Sequence, residues 1–303
     1  MKKNPKESKK YPLVTVITPT YNRGSFLEET ILSILNQDYT NIEYIVLDGE
    51  STDNTRDVVE KFKGKIIWDS HKNMGEQWAV NKGFSMAHGE IIGVVNSDDP
   101  LLPGAISEIV RAMRNNPKAI GVYPDWIRTD GNGKEIERVI LPDYNYEYML
   151  REHCLIPGPA TFYRKVIIDK LKGRDRQFKY VSDFDFVLRA GLIGDFVRIP
   201  KFLATFRVHP NAATASKKGL AMAMEHLRLL NKFFSLPNLP SHIKKIKHEA
   251  YVKACEAARI CSGNKLRTKI IISLISLYYS PLPYLKLFIK HRLRRLLKLL
   301  KKD

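Results

Sequence analysis

The chain has 303 residues, 44% hydrophobic and 27% charged, which excludes a disordered protein and leaves room for one large domain or two smaller ones. Its net charge of +18 raises nucleic acid or an anionic membrane as partners, yet +10 lies from Lys265 to Asp303 and +4 in the first ten residues, so the body between is nearly neutral. Cys154, Cys255 and Cys261 share no CxxC spacing and have no clustered His, which argues against a zinc site and a disulfide framework and for a reducing compartment.

After a basic lead over residues 1–12, Leu13 to Thr18 reads as a first strand that Pro19-Thr20-Tyr21-Asn22 ends. Phe26, Leu27, Ile31, Ile34 and Leu35 then fall at helical spacing. Ile42 to Leu47 predicts a second strand, ending in Asp48-Gly49-Glu50-Ser51-Thr52-Asp53, where Ser51 or Thr52 is placed to cap a helix through Val58, Val59 and Phe62. A short strand over Lys65 to Trp68, a helix over Gly75 to Met86 and a buried strand over Ile91 to Val95 follow. The last of these runs into Asn96-Ser97-Asp98-Asp99-Pro100, and a helix starts near Pro103. Strands alternating with helices predict a parallel, doubly wound sheet, in which ligands sit beyond the carboxyl ends of the strands. Asn22, Asp48 and Asp98 all lie just past such ends and should share one rim.

The second half changes character. Ile120 to Ile127 and Glu135 to Leu141 flank Thr129-Asp130-Gly131-Asn132-Gly133, a hairpin signal. Gly158-Pro159-Ala160-Thr161 is a broken loop leading into a strand, and Ser182-Asp183-Phe184-Asp185 opens a helix. Asp195 to Ile199 and Phe202 to Val208 predict further strands, ending at His209-Pro210. Beyond about Ser216 the pattern is helical, over Leu220 to Phe234 and Ile243 to Ile260, before a final basic amphipathic stretch. One domain over 13–215 and a helical extension over 216–303 are therefore expected.

These motifs in this order resemble the inverting, nucleotide-sugar-dependent glycosyltransferases of family 2, with the GT-A fold, of the kind that builds surface polysaccharides. The resemblance runs from Val14 to about His209 through VTVITPTYNRGSFLEETILSILNQDY, IEYIVLDGESTDNT, NMGEQWAVNKGFSMAHGEIIGVVNSDD, SDFDFVLRAG and FRVHP. It implies a mostly parallel central sheet flanked by helices, with a nucleotide clasped by the first loop. Pro19, Thr20, Tyr21 and Asn22 would line the base and ribose pocket, and Asp48 and Asn81 would face the nucleoside. Asn81 reads equally as a helix-surface residue.

Transfer from a nucleoside diphosphate sugar must stabilise a diphosphate leaving group and activate an acceptor hydroxyl. For the first task the resemblance implies Mn2+ or Mg2+ on Asp98, with Asp99 as supporting ligand or sugar contact and His209 as a further ligand. Asp-Asp-Pro is also ordinary turn chemistry, and a strand-end His also bonds backbone. The family's leading acid is replaced here by Asn96, which offers an amide to a ribose hydroxyl but no charge. Members that read uracil with the second acid of Asp-Asp-Gly-Ser have it where this chain has Gly49, so uridine is an expectation that rests on the other contacts. For the second task the resemblance implies Asp183 as general base, with Asp185 as runner-up; an acid in a helix's first turn is also favoured by the dipole alone. The Gln-x-x-Arg-Trp motif of processive synthases is absent, so one sugar per encounter is expected.

The Lys-rich start has no apolar stretch long enough for a signal peptide, and the uncharged run Ile270 to Leu285 falls short of a span, so a cytoplasmic location is expected. The tail alternates basic residues with Leu, Ile and Tyr, including Tyr278, Tyr279 and Tyr284. It reads as an interfacial segment on the inner face of an anionic membrane, or as a helix docked with a solvated basic face. A glycan or lipid-linked acceptor suits the first. Two other functions compete. A nucleotidyltransferase would carry a Gly-rich, Lys-containing loop after the first strand, and a nucleic-acid module would spread basic and aromatic residues over the body; neither is seen, and no nucleic-acid partner is expected.

Overall fold

The structure, a computed structural model, describes residues 11–210, 212, 220–261 and 266–279. It divides into two units: Met1–Tyr144 with Leu155–Ser216, and Asn145–Cys154 with Lys217–Asp303. The segment 145–154, read from sequence as part of the first domain, thus belongs with the helical unit.

The first unit is built on an eight-stranded sheet in the order β3-β2-β1-β4-β7-β5-β6, with β8 paired to β5. Strands β1 (Val14–Thr20), β2 (Ile42–Asp48), β3 (Ile67–Ser70) and β4 (Ile91–Val94) are mutually parallel. β7 (Phe162–Arg164) runs antiparallel between β4 and β5 (Gly121–Thr129); β6 (Glu135–Val139) pairs antiparallel with β5, and β8 (Phe196–Arg207) parallel with it. β1 is buried at every residue, because β2 and β4 flank it and helices cover both faces; this is why the strand is a continuous apolar run rather than an alternating one. Leu27, Ile31 and Ile34 of α1 (Gly24–Leu35), Val58 and Val59 of α2 (Thr55–Glu60), and Ile106, Ile109 and Met113 of α4 (Ala105–Asn115) pack with Val14, Val16 and Val46 in one core. On the opposite face, α3 (Glu76–Met86) approaches so closely at Gly83 that a Cβ there would lie 2.6 Å from Ile17. α6 (Lys165–Leu171) and α7 (Ser182–Gly191) complete the unit, and the α/β class with a mostly parallel, helix-flanked sheet is as the sequence predicts.

Three local readings differ from the structure. β1 continues through Pro19 to Thr20, because β4 pairs only with Val14 to Ile17 and leaves no ladder bond for the missing N–H of Pro19 to break. Neither Ser51 nor Thr52 caps α2: the cap residue is Asn54, which makes no side-chain cap bond, and Asp53 before it joins the starts of two helices, its Oδ1 accepting from Thr55 N of α2 and its Oδ2 from Gly24 N of α1, both at 3.0 Å. The two strands expected around Pro200 are one, β8, whose pairing with β5 shifts register at Asp125.

The second unit contains α5 (Tyr146–Arg151), α8 (Leu220–Phe234), α9 (Ser241–Lys245), α10 (Lys247–Cys261) and α11 (Leu266–Tyr279). α8 and α11 pack on α10, and Ala223, Ala258 and Ile272 form a small shared core. Among the described residues no helix is long and apolar enough to cross a membrane. The basic end of the tail, with Tyr284, lies outside the described residues, as does the side chain of Tyr279.

Candidate functional site

The site forms where β1, β2 and β4 end. Asn22 adopts φ 52°, a left-handed turn that Asn tolerates, and this swings the chain from β1 into α1. Its backbone N donates to Ser51 Oγ at 2.8 Å, and its Oδ1 accepts from Thr52 N at 2.8 Å. Asp48, at the end of β2, is 2% exposed and accepts from Ser51 Oγ at 2.5 Å, Ser51 N at 3.1 Å and Ser70 Oγ at 3.3 Å. The Asp48 carboxylate thereby ties the loop after β2 to the end of β3, and Ser51 Oγ carries the link on to the loop after β1. Thr20 is buried, whereas the ring of Tyr21 is 45% exposed, an aromatic face left open on this rim. Gly49 lies beside it: a Cβ there would meet Asn73 at 3.3 Å and Tyr21 at 3.4 Å. A side chain at this position would need Asn73 to give by a few tenths of an ångström and would touch Tyr21 at ordinary contact distance.

The second half of the site is the turn after β4. Segment 99–102 zips along β8, with Thr205 N donating to Pro100 O at 3.1 Å, Leu102 N to Leu203 O at 2.9 Å and Arg207 N to Asp99 Oδ1 at 2.8 Å. Asn96 Nδ2 donates to the other oxygen of Asp99 at 3.0 Å. Asp99 is therefore sequestered: 5% exposed, with both oxygens engaged, and its pKa pushed up to about 7 by burial and by the neighbouring Asp98 carboxylate. The amide at 96 has a structural reason, since it donates to Asp99 where an acid would add a third carboxylate to the cluster.

Asp98 points elsewhere. Its Oδ2 lies 3.0 Å from His209 Nε2 and 3.6 Å from Arg23 Nε. His209 is buried, and Phe26 of α1 packs on its ring with centroids 4.5 Å apart. The guanidinium of Arg207 lies 5.1 Å from the Phe26 ring and donates to Glu29 Oε2 at 2.5 Å. Strand β4, strand β8 and helix α1 thus converge on one carboxylate. Among the described residues no three His, Cys, Asp or Glu side chains are grouped to hold a metal. Asp98 and His209 offer one oxygen and one nitrogen to a divalent cation, a donor set that suits an ion completed by a ligand's phosphates rather than a closed structural site.

The remaining predicted residues separate cleanly. Asp183, in the first turn of α7, is partly exposed and, among the described residues, accepts from the adjacent Phe184 N alone, at 2.8 Å. Asp185 is 3% exposed and accepts from Arg189 Nε at 2.8 Å. Arg189 in turn donates to Leu171 O at 3.0 Å and Gly173 O at 2.9 Å. Asp185 is thus part of a brace between α6 and α7. Asn81 bonds the backbone of Arg174 at both ends of its amide, donating to O and accepting from N at 2.8 Å each. Reading the sequence missed Arg23, Phe26, Glu29 and Arg207; Arg23 and Arg207 stand in the quoted segments YNRG and FRVHP, beside residues that were assigned.

The model of glycosyl transferase family 2 matches residues 15–171. The chain belongs to that family. A glycosyltransferase of Methanocaldococcus jannaschii is 27% identical over 78% of this chain and 81% of its own length. Among solved structures, Staphylococcus aureus TarS 1–349 in complex with UDP-GlcNAc is similar at TM-score 0.70 and 18% identity, covering 89% of this chain and 82% of that one. The Pyrobaculum calidifontis mannosyltransferase PcManGT, in complex with GDP-Man and Mn2+, is similar at TM-score 0.62 and 19% identity, covering 94% of this chain and 81% of that one. At those identities the likeness is one of fold, and the fold is GT-A. The nucleotidyltransferase alternative gives way to a glycosyltransferase.

Proposed function

We propose that this glycosyltransferase inverts configuration and moves one sugar per encounter from a nucleoside diphosphate sugar to an acceptor hydroxyl, in the assembly of a surface glycan. The observation that carries the reading is Asp98 at the end of β4, bracketed by His209 at 3.0 Å and Arg23 at 3.6 Å. The nucleotide sugars held by TarS and PcManGT support the donor class, and the Mn2+ in PcManGT supports a divalent ion. Uridine is the nucleoside proposed here.

Asp98 and His209 would hold Mn2+ or Mg2+. When bound, the cation offsets charge developing on the diphosphate as it leaves. Arg23 adds a fixed positive charge on the same side. Asp99 keeps the β4 turn docked on β8 and so positions His209. Tyr21 presents a face on which a base can stack, Pro19, Thr20 and Asn22 shape the ribose side, and Asp48 holds the loops on which the nucleoside rests. Asn96, through its bond to Asp99, fixes the approach to the sugar, and Asn81 acts by holding the loop at Arg174. Asp183 takes the proton of the acceptor hydroxyl as that oxygen attacks the anomeric carbon, while the carbon–oxygen bond to the diphosphate breaks on the opposite face. Asp185 is set aside for this task because Arg189 already engages it. A glycan or lipid-linked acceptor and a cytoplasmic location at the inner membrane face, reached through the basic tail, complete the proposal.

Asp183→Asn tests the assignment. Turnover is expected to fall about 10²–10⁴-fold, the usual worth of a positioned base, with donor affinity by calorimetry unchanged. A variant with near-normal turnover would remove Asp183 from this role.

A further inference from the structure

Two grooves meet in the helical unit. One, about 360 Å3, lies between α8 and α11 and is lined mainly by apolar side chains, Met224, Leu227, Leu274 and Ile275, together with Arg228. The other, about 650 Å3, is lined by Lys244, Lys245, Lys247 and His248 over Phe234 and Tyr251. Asn231 and Tyr278 line both, so an apolar trough opens into a cationic mouth. We propose that this trough binds a phosphate-bearing membrane lipid, the headgroup at Lys244, Lys245, Lys247 and His248 and the chains along α11.

The charges are the first argument. Among the described residues, none of those four side chains pairs with a carboxylate, while Glu147 and Glu249 are engaged by Arg151, and Glu152 and Glu256 by Lys253. Lys247 sits over the rings of Phe234 and Tyr251, 5.9 and 6.0 Å from their centroids, and the Tyr251 hydroxyl donates to Asn231 Oδ1 at 2.6 Å. The mouth is thus a built surface with an uncompensated positive charge. The apolar side is the second argument. Leu266, Ile270, Leu274 and Tyr278 recur every four residues along α11 and are 72%, 50%, 63% and 81% exposed, while Ile272 on the other side is buried. A helix that is apolar on both sides beside a row of lysines matches the headgroup–acyl boundary of a bilayer. Charge also selects among occupants: residues 280–303 carry eight Lys/Arg and one Asp, so this chain's own tail opposes the mouth, and a second copy would set like charges together.

The proposal concerns lipid and stands apart from the transferase reading, so its test reads lipid binding alone. The full chain is floated with vesicles of phosphatidylcholine, and of phosphatidylcholine mixed with phosphatidylglycerol. Binding to the mixed vesicles is expected. Replacing Lys244, Lys245 and Lys247 together by Ala should weaken it about 100-fold, at roughly fivefold for each lysine near an anionic surface. Leu274→Asn should leave a residual binding that salt abolishes. All these side chains are exposed, so unchanged melting temperatures are expected and are checked. A control replacing Lys298, Lys301 and Lys302 removes equal charge from the tail. If that control loses binding while the groove variants keep it, or if no vesicle binds, the proposal fails. It fails equally if Leu274→Asn instead dissolves a lipid-free dimer seen by light scattering.

Discussion

Asp183 and Asp185 stand two residues apart in one helical turn, and the structure surrounds them differently: Asp185 is buried against Arg189, whereas Asp183 is partly exposed. Asp185→Ala removes the carboxylate that Arg189 Nε contacts at 2.8 Å, leaving the guanidinium its bonds to Leu171 O and Gly173 O and its place over the Phe186 ring. Breaking a fully buried pair costs about 3–5 kcal/mol. The Arg189 side chain retains 17% exposure, so solvent recovers part of that, and about 2–4 kcal/mol is expected here. For a cooperative unit of roughly 200 residues, with an unfolding entropy near 2.1 cal/mol/K per residue, this lowers Tm by about 5–10 °C. Asp183→Asn removes no such partner, and its Tm should move by no more than about 1 °C. The assay is a paired thermal melt and turnover measurement on both variants. Asp185→Ala should lose stability and keep measurable turnover per folded molecule, and Asp183→Asn the reverse. A stable, inactive Asp185→Ala beside an active Asp183→Asn would exchange the two roles and refute the reasoning.

Three further outcomes follow from the same geometry. Asp99→Ala orphans the buried Arg207 N–H, at about 1–3 kcal/mol, while the exposed Asn96 amide turns to water, and a urea midpoint reads the loss. Asn96→Asp replaces a donor to Asp99 by a third carboxylate; the metal-free protein should melt earlier, and Mn2+ should restore more of its Tm than it adds to the parent. His153, in the helical unit, is held down to about 3 from the usual 6.5 by burial and by His226. Because the unfolded chain takes up this proton below about pH 6.5 and the folded chain does not, the stability from a neutral His153 is complete above that pH and is lost as pH falls toward 3. Urea midpoints between pH 7 and pH 4 should decline, and the decline should be shallower in His153→Gln.

The strand ends were legible because each closes in turn-forming residues: Asn22 after β1, Gly49 after β2, and Asp98-Asp99-Pro100 after β4. Their convergence follows from the alternation of strands and helices alone. What stayed hidden was pairing across long stretches of chain. Nothing in the sequence says that Arg207 N will close on Asp99, 108 residues earlier, or that Asn81 will hold the backbone of Arg174, 93 residues later. Nor does the pattern show that Tyr146–Arg151 leaves its neighbours in sequence for the helical unit. One distinction was available and passed over. Arg189 follows Asp185 at the i,i+4 spacing of a helical ion pair, whereas position 187, four after Asp183, is Val187. That spacing alone marks the acid that takes part in the brace between α6 and α7.

The central claim is that Asp98 anchors the diphosphate of a nucleotide sugar. It is tested most directly by following hydrolysis of UDP-, GDP- and dTDP-sugars by the full chain with Mn2+ or Mg2+, beside Asp98→Ala. Metal-dependent turnover, strongest with a UDP-sugar and lost in Asp98→Ala, is the expected result. Turnover that survives the substitution, or no metal-dependent binding or turnover with any donor, would contradict it.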